Sequence, residues 1–578
     1  MTIPVQKKTS ASPVFLRAAA KVAFLLMLGV IEVSCGDTYR PVAQVIPQPP
    51  PNPAAFHFVI SVSSNGAFDP GAASRIDVSG DSTVGVFQTG VAPAHAALIP
   101  NGTRLYVANS AEDTITANNT PTPTVATTIS LPPPPQGAPS LPCPPNSSLG
   151  CVNFPVFVHT TENGNVYVAN YAGGTISVIN TTANVVTATV SVGTHPVALA
   201  ELPNAQKLYV TNQGSGDVSV IGLVNDTVVK TICLSGSGPP PCPLGPSPIW
   251  AVARSDNAKI YVLDSSGAVY DIDTLTDSAI VVPTSLGAGA NFIDYDSAAQ
   301  RLYITNPTAS KVAILDSTTD PPAVLKLLDL SQGPAAPCPA GCAPVSVTGI
   351  GDGTRAYVAS YRLATCIDAF GNAVPCVDTQ VEVINTANNT VSKVIPIATN
   401  VLVDPATNCG PAVPAIPALW APGTARFRLF AASSGGGSTS NFKVYIAQCD
   451  AGNVAVIDTF PLGSNPQDTF DGVALPASLS SFSPQRVDIS AASEDSAHTT
   501  TTYSYTVASG SGLQAGMSIF VTGMADTGND GNFVVSSVDI GTSTFTVANP
   551  SGVTTSKPQN GTGTGIPPQN PVLLVAGP

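Results

Sequence analysis

A six-residue phrase recurs along this chain at nearly constant spacing, and few folds can use such a pattern. Its clearest copy is Lys207-Leu208-Tyr209-Val210-Thr211-Asn212, followed across Gly214-Ser215-Gly216 by Asp217-Val218-Ser219-Val220-Ile221. Leu, Tyr, Val and Thr suit a pleated surface, and Asn and Gly supply the turn, so two short strands are predicted. The phrase returns as Arg104-Leu105-Tyr106-Val107-Ala108-Asn109, Asn165-Val166-Tyr167-Val168-Ala169-Asn170, Lys259-Ile260-Tyr261-Val262 and Arg301-Leu302-Tyr303-Ile304-Thr305-Asn306. Arg355-Ala356-Tyr357-Val358 and Lys443-Val444-Tyr445-Ile446 are weaker copies, and Phe58-Val59-Ile60-Ser61-Val62 is a degenerate one. Tyr167 to Tyr209 is 42 residues, as is Tyr261 to Tyr303. A unit of that length holding four strand signals cannot bury both its faces alone and must stack on its neighbours.

Each unit parses into four strands. The first follows a proline, as at Pro196, and the second carries the tyrosine. The third is residues 218–221 and the fourth 227–232. Radial stacking of such sheets predicts an all-β fold, a β-propeller over residues 56–480. Eight second strands but seven proline-led first strands are present. One blade shared between the ends of the series gives seven blades; eight separate blades are the alternative. Here the sequence resembles the YVTN family of bacterial β-propeller repeats, a WD40-like architecture, and Tyr209-Val210-Thr211-Asn212 spells the family's name. The resemblance implies a fold and says little about activity, because propellers host many functions.

Past the repeats the pattern changes. Residues 486–560 hold five short alternating segments with Gly- and Asn-rich turns, which predict a small β-barrel or Ig-like domain. Residues 561–578 look like a low-complexity tail. At the other end, Lys7, Lys8, Arg17 and Lys21 precede an apolar run over residues 22–31, too short to span a bilayer. Val33-Ser34-Cys35 then resembles the end of a bacterial lipoprotein signal over residues 1–35, with Cys35 as the lipidated residue and Glu32 departing from the pattern. Ordinary cleavage nearby and an uncleaved anchor are the alternatives. Residues 36–55, rich in Pro and Gln, form a tether.

Charged residues make up only 10% of the chain against a usual value of about 25%. Such a surface suits an extracytoplasmic β protein, periplasmic or on the outer surface of the cell envelope. The formal net charge of −14 argues against nucleic-acid partners and leaves a lipid anchor as the only membrane contact. Setting Cys35 aside, ten cysteines remain: Cys143 and Cys151, Cys233 and Cys242, Cys338 and Cys342, Cys366 and Cys376, with Cys409 and Cys449 pairing by elimination. They read as disulfides. Free thiols in a reduced cell are the alternative. All those from Cys143 to Cys409 lie in lengthened intervals between a fourth and a first strand or between a second and a third. In an up-and-down sheet these two connections emerge at the same end, so the pinned loops should gather on one face.

Catalytic signals are thin. His95, His159 and His195 fall in or beside successive first strands and are candidate metal ligands, but they stand at different distances from their prolines. His57 and His498 lie outside that set. Asp294 and Asp296 share a strand face and suit acid–base work or Ca²⁺, or simply a turn. The recurrent Asp of Asp316 and Asp458 suggests turn hydrogen bonds, and the recurrent Tyr suggests packing between blades with a satisfied hydroxyl. No nucleophile elbow, phosphate loop or dinucleotide fingerprint occurs, and no cofactor is called for. The residues favour an exported, lipid-anchored binding or scaffold protein over an enzyme, with a protein, polysaccharide or small ligand at the loop face. The alternatives are a propeller enzyme of lactonase-like or quinoprotein- or haem-like type, as the resemblance allows, and a structural surface-layer component.

Overall fold

Each tyrosine-centred phrase is the second strand of a four-stranded antiparallel sheet. The computed structural model describes residues 58–577 except 66–68, 122–123, 135–151, 162–163, 205, 237–241, 243–245, 333–337, 340, 368–372, 404–408, 410–426, 435–441, 461–467, 475–484, 498, 510–517, 523, 540, 550–551, 555–560 and 567–569. The expected signal, the tether and the Cys35 site therefore lie outside the described residues. Among those described, no helix is long and apolar enough to cross a membrane.

The unit around Tyr209 shows how the sequence builds a sheet. Pro196–Glu201, Lys207–Asn212, Asp217–Gly222 and Thr227–Cys233 pair in chain order. The second strand is buried on both faces, because neighbouring sheets cover both. That is why it reads as a continuous apolar run rather than an alternation. The fourth strand is largely exposed, and its Thr, Val and Lys residues suit an outer edge. Four first strands open on proline and a fifth carries Pro344 at its second position, and after each of these prolines a register shift follows immediately, as between Pro196 and Ala198 or Pro248 and Trp250. Proline has no N–H to give the ladder, so the strand bulges there.

Among the described residues eight such sheets are present, one more than the seven expected from sharing a blade. The sharing itself occurs. Phe58–Asn65, Asp69–Asp77 and Ser82–Val91 take their fourth partner from the far end of the chain, where Asn570–Gly577 pairs with Phe58–Asn65. This strand is the missing first strand of the opening unit, and Thr469–Val473 is the missing fourth strand of the closing one. The segment read as a low-complexity tail is thus two strands. Asn570–Gly577 completes the first sheet, and Gly561–Ile566 joins a separate six-stranded sheet. In that sheet Gln485–Glu494, Thr500–Ser509, Thr544–Ala548, Gly531–Asp539, Ser518–Thr522 and Gly561–Ile566 pair in cyclic order. It is an insertion rather than an appendage, because the chain returns from it to the first sheet.

Four of the repeated tyrosines reach from sheet to sheet, whereas the buried Tyr303 hydroxyl has no hydrogen-bond partner among the described residues. The hydroxyl of Tyr106 donates to Asn184 Oδ1 at 2.7 Å, that of Tyr209 to Asp277 Oδ1 at 2.6 Å, and that of Tyr167 to Asp226. Each acceptor sits at positive φ in the turn before the next sheet's fourth strand. Asn and Asp tolerate that conformation better than branched residues do. Burial, reinforced by the Asp277 carboxylate, pushes the Tyr209 pKa far up, so the hydroxyl stays protonated and donates. Tyr445 in the eighth sheet makes the same bond to Asp81 in the first, at 2.6 Å. Asp316 accepts from the Thr318 backbone and hydroxyl, as a turn residue should, whereas Asp458 pairs with Lys443 at 3.4 Å.

Candidate functional site

The bulge behind each leading proline aims the residue two positions on. In four sheets these residues are His95, Phe157, Ala198 and Trp250. Together with Phe292, Phe427 and Phe430 the aromatic members form one cluster drawn from five sheets or their leading connections. Trp250 lies with ring centroids 5.4 Å from Phe157, 5.1 Å from Phe292 and 5.6 Å from Phe427. Phe427 meets Phe430 at 5.3 Å, and His95 stacks on Phe157 at 3.8 Å. Trp250, Phe157, Phe292 and Phe427 are buried. Rings from five sheets or their leading connections thus pack against one another.

The three candidate histidines do not meet. His95 is held by its stack on Phe157, and its Nδ1 accepts from the Val158 backbone at 3.4 Å. His159 Nε2 lies 2.9 Å from Glu201 Oε2 on the next sheet's first strand. His195 adopts positive φ and stacks on Tyr171 at 4.4 Å, and burial lowers its pKa. Among the described residues these three form no common ligand cluster, and each ring meets a different neighbour. His57 and His498 lie outside the described residues.

Asp294 and Asp296 share a face of one strand, as period-two alternation requires. Asp296 is a turn residue, with Oδ1 accepting from Ala298 and Ala299 N–H at 2.9 Å each. Its Oδ2 is buried without a partner, and burial raises its pKa. Asp294 keeps some exposed surface, but its carboxyl is walled in. Burial first, and the Asp296 carboxylate second, push its pKa up to about 7. In the unfolded chain the group titrates near 3.8. Its raised value means the folded state loses stability as pH climbs between those two values and nothing further above them. Asp294→Asn is expected to match the wild type below pH about 4 and to gain on it up to pH about 7. The plateau should stand on the order of 2–4 kcal/mol, allowing for residual solvent screening. Denaturant midpoints across that range test it; a difference that stays constant with pH would refute the assignment.

Four of the five expected disulfides lie among the described residues: Cys233–Cys242, Cys338–Cys342, Cys366–Cys376 and Cys409–Cys449. Cys143 and Cys151 fall outside them. Each of the four lies at the end of its sheet where second strands pass to third and fourth strands leave for the next sheet. Cys366 and Cys376 differ from expectation in kind. They sit within strands, because Arg355–Ile367 and Ala373–Asn385 extend the hairpin to 13 residues a side instead of ending in a loop. Thr390–Leu402 follows it outward, so the projection is three-stranded and carries exposed Leu363 and Ile367.

One further cluster went unseen in the sequence. Glu382, fully buried in the third strand of the seventh sheet, faces the Cys338–Cys342 pair, Ser360 and Gln380. A sequence signal for the aromatic cluster did exist: aligning first strands on their prolines places His95, Phe157 and Trp250 in one column. For Glu201 and Glu382 no such signal existed, since His159 meets the first from another sheet, and Ser360 and the Cys338–Cys342 pair meet the second from other parts of the chain.

No family model matches this chain, and no curated protein matches it. Among solved structures, a hydrazine synthase from Kuenenia stuttgartiensis is similar at 18% identity and a TM-score of 0.37, over 51% of this chain and 73% of the other. A virginiamycin B lyase from Staphylococcus aureus is similar at 14% identity and a TM-score of 0.36, over 53% and 85%. A streptogramin B lyase gives 12% identity and a TM-score of 0.36, over 53% and 84%. Likenesses this distant carry no argument about what the chain does.

Proposed function

We propose that this chain is an exported, lipid-anchored envelope protein whose eight sheets form a closed β-propeller of the YVTN kind. A small inserted β-barrel interrupts its last connection, and a disulfide-pinned face binds a partner. Closure is supported by the run of first strands, each packed on the next, with Asn570–Gly577 lying against both Leu429–Ser434 and Pro93–Leu98. It is supported again by the Tyr445–Asp81 bond, which repeats between the last and first sheets the link used elsewhere.

The observation that carries the binding function is the placement of all four described disulfides at one end of their sheets. Binding residues concentrate on loops held by a rigid scaffold, and cross-links hold such loops in shape. The aromatic cluster supports binding over the lactonase-like or quinoprotein-like alternative, because rings occupy the place where acids and histidines would have to converge.

The test uses photo-crosslinking side chains in the full chain within its native envelope. Probes at Ser235 and Thr365 sample the disulfide end, and probes at Thr182 and Ala387 sample the other. Adducts of one defined mass are expected from the first pair only. Equal yields from both ends, or adducts from Thr182 and Ala387 alone, would overturn the binding face. Intact mass showing an unmodified Cys35 would remove the anchor.

A further inference from the structure

The seventh sheet holds a carboxylate in an unusual place. Glu382 is fully buried, and among the described residues it forms no ion pair. Its partners are neutral: the Ser360 hydroxyl donates to both carboxyl oxygens at 2.7 and 2.8 Å, and Gln380 Nε2 reaches Oε1 at 2.5 Å. Beyond them stand two sulfurs, Cys338 Sγ at 3.9 Å and Cys342 Sγ at 4.0 Å from Oε1. Gln380 Nε2 also lies 2.9 Å from Cys338 Sγ. Both cysteines are buried. Two neutral donors compensate a fully buried carboxyl only in part, and a disulfide, with no proton to donate, adds nothing.

The same atoms are well placed around a small cation. The ligand atoms of Cys338, Cys342 and Glu382 all lie within 4.8 Å of one another. Tetrahedral zinc with bonds of about 2.3 Å to sulfur and about 2.1 Å to oxygen sets those ligands about 3.6 Å apart. The two sulfur–oxygen separations are already close to that edge. Three residues stand between the cysteines, a Cys-x-x-x-Cys spacing within the range zinc ligands use. Ser360 and Gln380 flank the third ligand and orient it.

We propose that the Cys338–Cys342 pair and Glu382 form a redox-gated site for a thiophilic divalent cation such as Zn²⁺, closed by the disulfide when oxidised and by the metal when reduced. A dithiol reductant opens it. Two electrons enter the sulfur–sulfur bond, which breaks, the reductant's two protons pass to Cys338 and Cys342, and the reductant leaves as its own disulfide. The cation then displaces both thiol protons to solvent, with that of Glu382 when it carries one, and binds two thiolates, one carboxylate and one water. Either state pins the connection between the sixth and seventh sheets. The site is independent of what the loop face binds.

The full chain, reduced with a dithiol and desalted under argon, is titrated with Co²⁺ alone and then with Zn²⁺. One equivalent of Co²⁺ should give thiolate-to-cobalt charge transfer with the visible bands of a tetrahedral ion, and Zn²⁺ should bleach them. The bands should persist in Cys366→Ser/Cys376→Ser and in Cys233→Ser/Cys242→Ser, and vanish in Cys338→Ser/Cys342→Ser. Glu382→Gln should keep the charge-transfer band but weaken Co²⁺ binding roughly tenfold or more. Its oxidised form, compared with wild type by circular dichroism, shows that the variant folds. No band in the reduced wild type, an undiminished band in Cys338→Ser/Cys342→Ser, or unchanged affinity in a folded Glu382→Gln would each overturn the site.

Discussion

Replacing Arg355 with leucine is expected to destabilise the fold by about 3–5 kcal/mol, the cost of leaving one half of a buried ion pair alone. Arg355 is among the largest fully buried side chains in the protein. Its Nη1 donates to Asp468 Oδ1, and both side chains are 2% exposed. The pair spans two sheets: Arg355 opens the second strand of the seventh, and Asp468 holds the turn before Thr469–Val473 in the eighth. Asp468 also accepts from Phe460 N–H at 3.3 Å, and Lys393 Nζ donates to its carbonyl at 2.6 Å. Neither contact replaces the guanidinium at the carboxylate. The double substitution Arg355→Leu/Asp468→Asn removes the stranded charge and should recover a good part of the loss. Denaturant unfolding of both variants measures this coupling. A single variant within about 1 kcal/mol of wild type would show that water reaches Asp468 and the pair is not truly desolvated.

Truncating Trp250 to alanine is expected to cost a similar amount, about 3–5 kcal/mol, for a different reason. No charge is exposed; a cavity opens. Trp250 touches His95, Phe157, Phe292 and Phe427, which belong to other sheets or their leading connections, so no single backbone shift can close the gap. Trp250→Phe keeps a ring at the centre and should lose well under half as much. Thermal midpoints of the two variants separate cavity formation from loss of the indole itself. Equal losses would point to the indole N–H rather than packing.

Local signals were legible in the sequence and meetings between distant segments were not. Lys207–Asn212 and Asp217–Gly222 could be placed from their own residues, because apolar content, turn glycines and period all agree there. The pairing of Cys409 with Cys449, 40 residues apart, followed from parity. Asn570–Gly577 escaped notice since its Pro-Val-Leu-Leu-Val core is short, isolated from the repeat and preceded by glycines. Only the unpaired edge of Phe58–Asn65 identifies it. His159 looked like a metal candidate because its partner Glu201 lies on another sheet, 42 residues on. Asp294 and Asp296 were correctly placed on one face, yet what distinguishes their titration is how deeply each is enclosed, which a linear pattern does not encode.

The pairing of Asn570–Gly577 with Phe58–Asn65 has a bearing on how the molecule is made. Phe58–Asn65, the first of the described strands, must wait for the last of them, with one hydrogen-bonding edge bare in the meantime. Such an edge is a template for mispairing with any other extended chain. During that wait the six strands between Gln485 and Ile566 emerge and can satisfy one another without help from the rest. Completion of the first sheet therefore waits on Asn570–Gly577: a chain lacking that strand would carry seven finished sheets and one permanently adhesive seam.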